Sequence, residues 1–325
     1  MGHRTDLYAG IDIGGTKMIA AIGSGDGTRE TSTAFATTQD PDADLRRCLD
    51  WIADQSSRDA VRSIGVACPG PYDRRDRVLL DPPNMPGWHG FAIGEWFDRH
   101  AAFPTRVMND ANAGAYAEWL WGDHGDIETL VFLTMSTGMG GGVVASGRIL
   151  EGTRGFAAEV GRIGLAEEGP VGFGARGTVE GFLSGPGIEQ VAAAERLECL
   201  QRGEASGLCE LNPATVPKLC ELASAGDSAA TRGIDRTNGR LGQLIALLGN
   251  VLEPDVIVLG TIAAAHPDLF VAPAKAAARL GMLGHVWDRM RVVPSTLNDR
   301  AVKQAIAIAV LAETEQNAAR SPGSR

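Results

Sequence analysis

The chain has no leader in which positive charge precedes an apolar stretch, and no uninterrupted apolar run of membrane-spanning length. This sets aside a spanning helix. Met1 to Leu7 is polar and leads straight into an apolar segment, so a cytoplasmic protein is expected. Clustered basic residues are missing too: 30 Lys and Arg stand against 40 Asp and Glu, a formal net charge of -10, with a pI near 5.1. Phosphate backbones call for basic clusters, so no nucleic-acid partner is expected. Five cysteines make an odd number without C-x-x-C spacing, which fits reduced thiols better than a disulfide frame. Also absent are a short-period repeat, the G-x-x-x-x-G-K-[ST] loop and the G-x-G-x-x-G dinucleotide signature.

What is present is an ordinary folding composition, 44% hydrophobic and 22% charged over 325 residues, enough for one or two cores. Apolar runs at Leu7 to Ile13 and Met18 to Ile22, then a Gly turn and a third strand through Ala36, predict an antiparallel meander. Leu45, Cys48, Leu49 and Ile52 recur at helical spacing in a helix over 42–55. A buried strand at Ile64 to Cys68, a short helix at 93–99 and a strand at Thr105 to Met108 follow. Beyond Asn109-Asp110 we expect a helix at 113–121, a strand at Thr129 to Met135, an irregular Gly-rich segment over 151–187, and a long amphipathic helix over 229–252. Strands at Val256 to Leu259 and Met290 to Val293, a helix over 299–313 and a frayed tail complete the chain. The acids Asp40, Asp42 and Asp44 superficially match a calcium loop, but Leu45 and Trp51 occupy its Gly and Glu positions, so solvated acids at a helix start are expected.

Four stretches fall in a fixed order: Gly10-Ile-Asp-Ile-Gly-Gly-Thr-Lys17, Ala67-Cys-Pro-Gly70, Asn109-Asp110 and Thr137-Gly-Met-Gly-Gly-Gly142. A turn of Gly14, Gly15 and Thr16 lets backbone N–H groups approach an anion without a Cβ in the way. An Asp just before such a turn can hold magnesium through waters. Thr137 to Gly142 repeats the device, although each turn also reads as a plain glycine hairpin. Asp110 precedes a helix, where its carboxylate either caps the N-terminus or serves as a base toward a substrate hydroxyl.

With these motifs in place, the sequence resembles the ROK family of bacterial sugar kinases and repressors, in the actin-like and hexokinase-like ATPase superfamily, from Tyr8 to about Leu311. Further matching stretches are Pro83-Asn-Met-Pro-Gly-Trp88, Asn109-Asp-Ala-Asn112, Gly155-Phe-Ala-Ala-Glu-Val-Gly161, and Glu180 ahead of Ser184-Gly185. The resemblance implies an α/β, two-lobed fold of ribonuclease H-like mixed sheets flanked by helices, with an interlobe cleft. The lobes are expected at 1–110 plus 299–325 and at 111–298. It further implies that Asp12, Gly14, Gly15, Thr16, Lys17, Thr137 and Gly138 hold ATP phosphates, that Asp12 holds Mg2+ through water, and that Gly260 and Thr261 lie on the adenosine side. Asp110 is implied as general base, and Gly70, Asn84, Asn109, Asp110, Glu159, Arg162 and Glu180 as the sugar pocket. A homodimer is implied as well.

The chain departs from the family where many members bind structural zinc through a His and three Cys. Here those positions are Arg162, Val171, Phe173 and Thr178, and no zinc is expected. Arg162 is expected to take the lost cation's place beside Glu159 or Glu180, with Val171 and Phe173 filling the space by apolar packing. The expected activity is ATP-dependent phosphorylation of a hexose at its primary hydroxyl, with glucose first and fructose, mannose, N-acetylmannosamine or N-acetylglucosamine as alternatives. A non-catalytic sugar sensor is the competing class. A repressor is disfavoured because only Met1 to Leu7 precedes the first strand, too short for a helix-turn-helix.

Overall fold

A computed structural model describes residues 6–55 and 61–320; the tail expected to fray after Glu313 is helical as far as Arg320, and its remainder lies outside the described residues. The chain divides into two compact units, the first made of Met1–Asp123, Ile149–Ala157 and Leu297–Arg325, the second of His124–Arg148 and Ala158–Thr296.

In unit 1, β1 (Leu7–Ile13), β2 (Lys17–Ser24) and β3 (Arg29–Ala36) form the expected meander, and α1 (Pro41–Gln55) leads into β4 (Val61–Cys68). A small hairpin, β5 (Tyr72–Asp73) and β6 (Val78–Leu79), precedes α2 (Ile93–His100), β7 (Thr105–Asn109) and α3 (Asp110–Trp121). The sheet order is β3-β2-β1-β4-β7, antiparallel across β1, β2 and β3 and parallel from β1 through β4 to β7. Side chains alternate across a strand. Ala9, Ile11 and Ile13 therefore face the core that holds Leu45, Cys48 and Ile52 of α1. Tyr8 joins Val302, Ile306 and Ala309 of the C-terminal helix α12 (Arg300–Arg320) on the other face.

Gly10 and Gly65 are cross-strand neighbours on β1 and β4, and α12 lies directly on them. A Cβ at Gly10 would stand 2.8 Å from Ala305 Cβ, and one at Gly65 only 2.0 Å from the Ala305 carbonyl oxygen. The expected first lobe ended at residue 110. In the structure α3 belongs to unit 1, because Ala113 packs with Ile308 of α12 and with Met108. The segment Ile149–Ala157 also sits with unit 1, tied by Arg106 Nη2 to Glu151 at 2.7 Å and by Arg154 Nε to Asp73 at 2.6 Å.

Unit 2 repeats this topology. Strands β8 (Thr129–Met135), β9 (Met139–Ala145), β10 (Arg148–Ile149), β13 (Val256–Thr261) and β14 (Arg291–Pro294) order as β10-β9-β8-β13-β14. The β8/β9 pair is antiparallel, and β8/β13 and β13/β14 are parallel. The segment expected to be irregular holds a hairpin, β11 (Val171–Gly172) and β12 (Ala175–Arg176), and the short α4 (Val179–Leu183). Helices α5 (Gly185–Arg202), α6 (Gly207–Glu210), α7 (Val216–Ser224) and α8 (Ser228–Leu252) follow, and α9 (Ile262–Ala265), α10 (Pro267–Ala278) and α11 (Gly284–Trp287) separate β13 from β14. No helix among the described residues is long and apolar enough to cross a membrane.

Of the acids at the start of α1, Asp40 is exposed and Asp42 half exposed, as expected, whereas Asp44 is not solvated. Asp40 Oδ1 accepts from Ala43 N at 3.1 Å, and Trp96 Nε1 donates to Asp42 Oδ1 at 2.7 Å. Asp44 is fully buried, accepting from Thr38 N at 2.6 Å and pairing with Arg47. Cys68 is a core residue whose thiol donates to the Met108 carbonyl at 3.4 Å.

The glycine contact under α12 predicts a graded response. Gly65→Ala forces backbone apart and is expected to destabilise by about 3 kcal/mol. In Gly15→Ala a new Cβ meets nothing within 4 Å, and the change is expected to stay within about 0.5 kcal/mol. Urea denaturation of both variants checks the contrast; equal effects would mean that α12 does not rest on Gly65.

Candidate functional site

In unit 1 the candidate residues gather at the carboxyl ends of the three parallel strands, the usual ligand edge of an open α/β sheet. Asp12 is level with Ala67, and Cys68 with Asn109. The turn after β1 is fixed on both sides: Gly14 N donates to the Lys17 carbonyl at 3.0 Å, Thr37 Oγ1 to the Gly14 carbonyl at 2.6 Å, and Thr37 N to the Thr16 carbonyl at 3.1 Å. A Cβ on Gly14 would press to 2.8 Å on the Lys17 oxygen. Gly15, Thr16 and Lys17 are exposed, leaving a tight turn with an open face. That arrangement fits phosphate oxygens. Sequence reasoning missed Thr37, whose only signal is its place at the end of the neighbouring strand.

Asn109 resolves the ambiguity over which residue caps α3. Its Oδ1 accepts from Ala111 N at 2.9 Å and from Asn112 N at 3.4 Å, so Asn109 is the cap and Asp110 is the first helical residue. This corrects the expected start of the helix at 113 and commits the Asn109 side-chain carbonyl, leaving its amide N–H groups as donors. Asp110 keeps an exposed face. Protein nevertheless crowds its other sides, and that desolvation raises its carboxyl above the ordinary range against the Ala111 backbone N–H and the Arg300 charge. Gly70 follows β4, and exposed Asn84 adopts a left-handed φ of 63°, which Asn tolerates well.

Asp12 shares a face of β1 with Tyr8 and Gly10, the face that carries α12. There Gln304 Nε2 donates to Asp12 Oδ1. Burial pushes the Asp12 carboxyl up to about 7; the Gln304 hydrogen bond opposes this, the Asp110 charge adds to it, and Arg300 and Lys17 oppose it. An acidic oxygen beside an open glycine turn fits hydrated magnesium.

In unit 2 the turn after β8 carries Thr137 and Gly138, with Ser136 N donating to the Gly138 carbonyl at 2.9 Å. Glu180, at the start of α4 and buried, accepts from Met139 N at 3.1 Å through Oε2. That same oxygen would lie 3.0 Å from a Cβ on Gly138. Glu180 therefore supports the Thr137–Gly138 turn as well as offering its second oxygen. Burial raises its carboxyl, opposed by the Met139 N–H and the Arg162 charge. Gly260 and Thr261 end β13 level with Thr134 and Met135. Thr261 holds φ 51° and ψ -109°, a conformation suited to glycine, and its hydroxyl bonds Thr134 Oγ1 at 2.8 Å.

Val171 and Phe173 do not fill space by apolar packing as expected: they are 46% and 51% exposed. Phe173 and Gly174, at φ 44° and 74°, form the two-residue turn between β11 and β12, the pattern of a tight hairpin with positive φ at both central positions. Gln190 clamps the hairpin, accepting from Val171 N and donating to its carbonyl, both at 2.9 Å. Arg162 Nη1 donates to the Phe173 carbonyl at 3.2 Å, and the guanidinium lies 5.5 Å from the Phe173 ring centroid. Glu159, exposed, stands at the head of the Val160–Arg162 turn. Thr178 Oγ1 accepts from Gly181 N at 3.1 Å as the cap of α4. None of the four former ligand positions presents a donor set for zinc, and among the described residues no cluster of three His, Cys, Asp or Glu side chains forms a metal site.

The raised Asp12 carboxyl has a consequence for stability. Its folded pKa of about 7 lies above the ordinary carboxyl range, so its contribution is fully present below about pH 4 and is lost as pH rises through 7. Asp12→Asn, which keeps an acceptor for Gln304, is expected to be more stable than the unsubstituted protein by about 1–3 kcal/mol at pH 8, with the gap closing near pH 4. Denaturant titrations at the two pH values measure this; a gap independent of pH would show that the carboxyl ionises freely.

The family model for the ROK family matches residues 8–312. The chain is 34% identical over 253 residues to an N-acetylmannosamine kinase of Escherichia coli, covering 77% of this chain and 81% of that one. It is 29% identical over 307 residues to a glucokinase of Halalkalibacterium halodurans, covering 90% and 92%. Among solved structures, the ROK hexokinase from Thermus thermophilus superposes with a TM-score of 0.79 at 28% identity, covering 95% of this chain and 99% of that one. With its repeated five-stranded mixed sheets, its ordered glycine motifs and a family match across nearly all of its length, this chain belongs to the ROK family.

Proposed function

We propose that this protein is an ATP-dependent sugar kinase that transfers the γ-phosphoryl group to the primary hydroxyl of a hexose. The observation that carries this reading is Asp110. It stands at the strand edge with an open face, its capping duty is taken over by Asn109, and its basicity is raised by desolvation. A carboxylate so placed accepts the hydroxyl proton as the sugar oxygen bonds to phosphorus and ADP departs. Raising its pKa toward the working pH improves it as a base.

Gly14, Gly15, Thr16 and Lys17 of unit 1, with Thr137 and Gly138 of unit 2, are assigned to the phosphates; Gly260 and Thr261 are assigned to the adenosine side. Asp12 would hold Mg2+ through water, which neutralises phosphate charge. Gly70, Asn84, the Asn109 amide, Glu159, Arg162 and the free oxygen of Glu180 are assigned to sugar hydroxyls. Hydroxyls both donate and accept, so paired carboxylates and amides select strongly against analogues that lack them. Glucose is the acceptor we place first, in keeping with the glucokinase relative that spans most of the chain. The more identical relative, an N-acetylmannosamine kinase, supports N-acetylmannosamine as the second.

ADP release with Mg-ATP against glucose, fructose, mannose, N-acetylmannosamine and N-acetylglucosamine tests the proposal. Sugar-dependent turnover is expected, reduced at least about 1,000-fold in Asp110→Asn. Its acid limb in kcat/KM is expected above the ordinary Asp range. Sugar binding without turnover for any acceptor would establish a sensor instead. The purified protein is also expected to be free of zinc, and one zinc per chain by elemental analysis would overturn the reading of Arg162, Val171, Phe173 and Thr178.

A further inference from the structure

The C-terminal helix brings to the phosphate turn a residue that none of the glycine motifs contains. Gln304 lies on α12 next to Ala305, the residue that rests on Gly10 and Gly65. Its side chain is 7% exposed, and its Nε2 donates to Asp12 Oδ1. The approach is fixed from both directions. Strand alternation turns Asp12 to the face where α12 lies, and the missing side chains at Gly10 and Gly65 let the helix descend far enough for a carboxamide to reach it. Arg300, one turn earlier on the same helix, acts electrostatically on both Asp12 and Asp110.

We propose that Gln304 is a positioning residue for Asp12, holding one carboxylate oxygen so that the other is presented to hydrated magnesium on the nucleotide phosphates. The chemistry of the donor matters. A carboxamide fixes the carboxylate's rotamer while leaving its negative charge intact, whereas a Lys or Arg at that distance would form an ion pair competing with the divalent cation. Only one oxygen of Asp12 is committed to Gln304, and magnesium, which keeps most of its waters, needs few protein ligands. Arg300 and Lys17 supply diffuse positive charge nearby, but the fixed hydrogen bond comes from the neutral group. Because Gln304 touches neither hydroxyl nor phosphoryl group in this scheme, it acts through Asp12 alone.

This assignment rests on the kinase reading, and the experiment separates the two. Binding of AMPPNP to the full chain is measured by calorimetry with magnesium and again with EDTA. Gln304→Met, close in size and without a donor, is expected to weaken magnesium–AMPPNP binding roughly tenfold, the scale of one hydrogen bond to a charged group. Metal-free AMPPNP binding is expected to be unchanged, which also shows that the variant is folded. Gln304→Glu places a second acidic group against Asp12 and is expected to weaken magnesium-dependent binding by at least as much; it carries the test should the Met variant fail to fold. In an Asp12→Asn background, Gln304→Met is expected to change affinity less than about twofold, because contacting residues that act as a unit are not additive. Equal weakening with and without metal, or full additivity with Asp12→Asn, overturns the positioning role. Absence of magnesium-dependent nucleotide binding in the unsubstituted protein instead overturns the kinase reading, and the assignment falls with it.

Discussion

The contact between α12 and the glycines of β1 and β4 is the constraint on which unit 1 depends. A helix usually packs on a sheet through interdigitated side chains, but here Gly10 and Gly65 leave bare backbone, and Ala305 and Ala309 rest on it. Ser63 Oγ reinforces the approach by donating to the Ala309 carbonyl at 2.7 Å, fully inside the protein. Once the helix is seated at that depth its neighbours have little freedom. Ile308 meets Ala113 and Met108, which fixes α3 and hence Asp110, while Gln304 meets Asp12. The two carboxylates proposed for phosphoryl transfer are thus placed by the same helix, although they lie almost a hundred residues apart from each other and farther still from α12.

The duplicated topology explains why chemistry collects at one edge of each sheet. In both units three antiparallel strands are extended by two parallel ones, so the ends of β1, β4 and β7 point one way, as do those of β8, β13 and β14. Parallel neighbours require crossovers, and the turns leaving their carboxyl ends are free to carry glycines and polar side chains. The hairpins after β1 and β8 leave from that same edge, which is why Gly14 to Lys17 and Thr137 to Gly138 occupy equivalent places. Each turn is braced by a polar residue remote in sequence, Thr37 for the first and Glu180 for the second.

The strands and long helices were legible because period-2 and period-3.6 apolar patterns coincide with burial here, as in β1 and α8. The turn after β1 was legible because a side chain at Gly14 would press on the Lys17 carbonyl oxygen. What escaped was of another kind. Asn109 and Asp110 are both good caps by residue type, and only the hydrogen bonds to Ala111 and Asn112 show which one serves. Asp44 looks like a solvated acid because its partners, Thr38 and Arg47, are separated from it in a way that becomes meaningful only once α1 is formed. Thr37 and Gln304 belong to no motif; each acts through tertiary proximity, which a one-dimensional pattern does not encode. The expected boundary at residue 110 followed a change of motif, whereas the units are divided by packing, and α3 packs on α12.

The loop that departs from the family shows how one structural problem admits two physical solutions. A metal would hold the chain after Gly161 by coordination. This chain instead uses a two-residue turn with positive φ at Phe173 and Gly174, clamped by Gln190 on both polar groups of Val171. Backbone geometry and one carboxamide hold the hairpin, and the side chains of Val171 and Phe173 point outward. Arg162 supplies positive charge beside this hairpin. It does so by lying along the Phe173 ring and bonding its carbonyl while still lowering the Glu180 carboxyl that burial raises. Since Glu180 also braces the Thr137–Gly138 turn, the charge of Arg162 reaches the turn proposed to bind phosphate through a single carboxylate. The residues around the hairpin therefore bear on the electrostatics of that turn as well as on the shape of the hairpin.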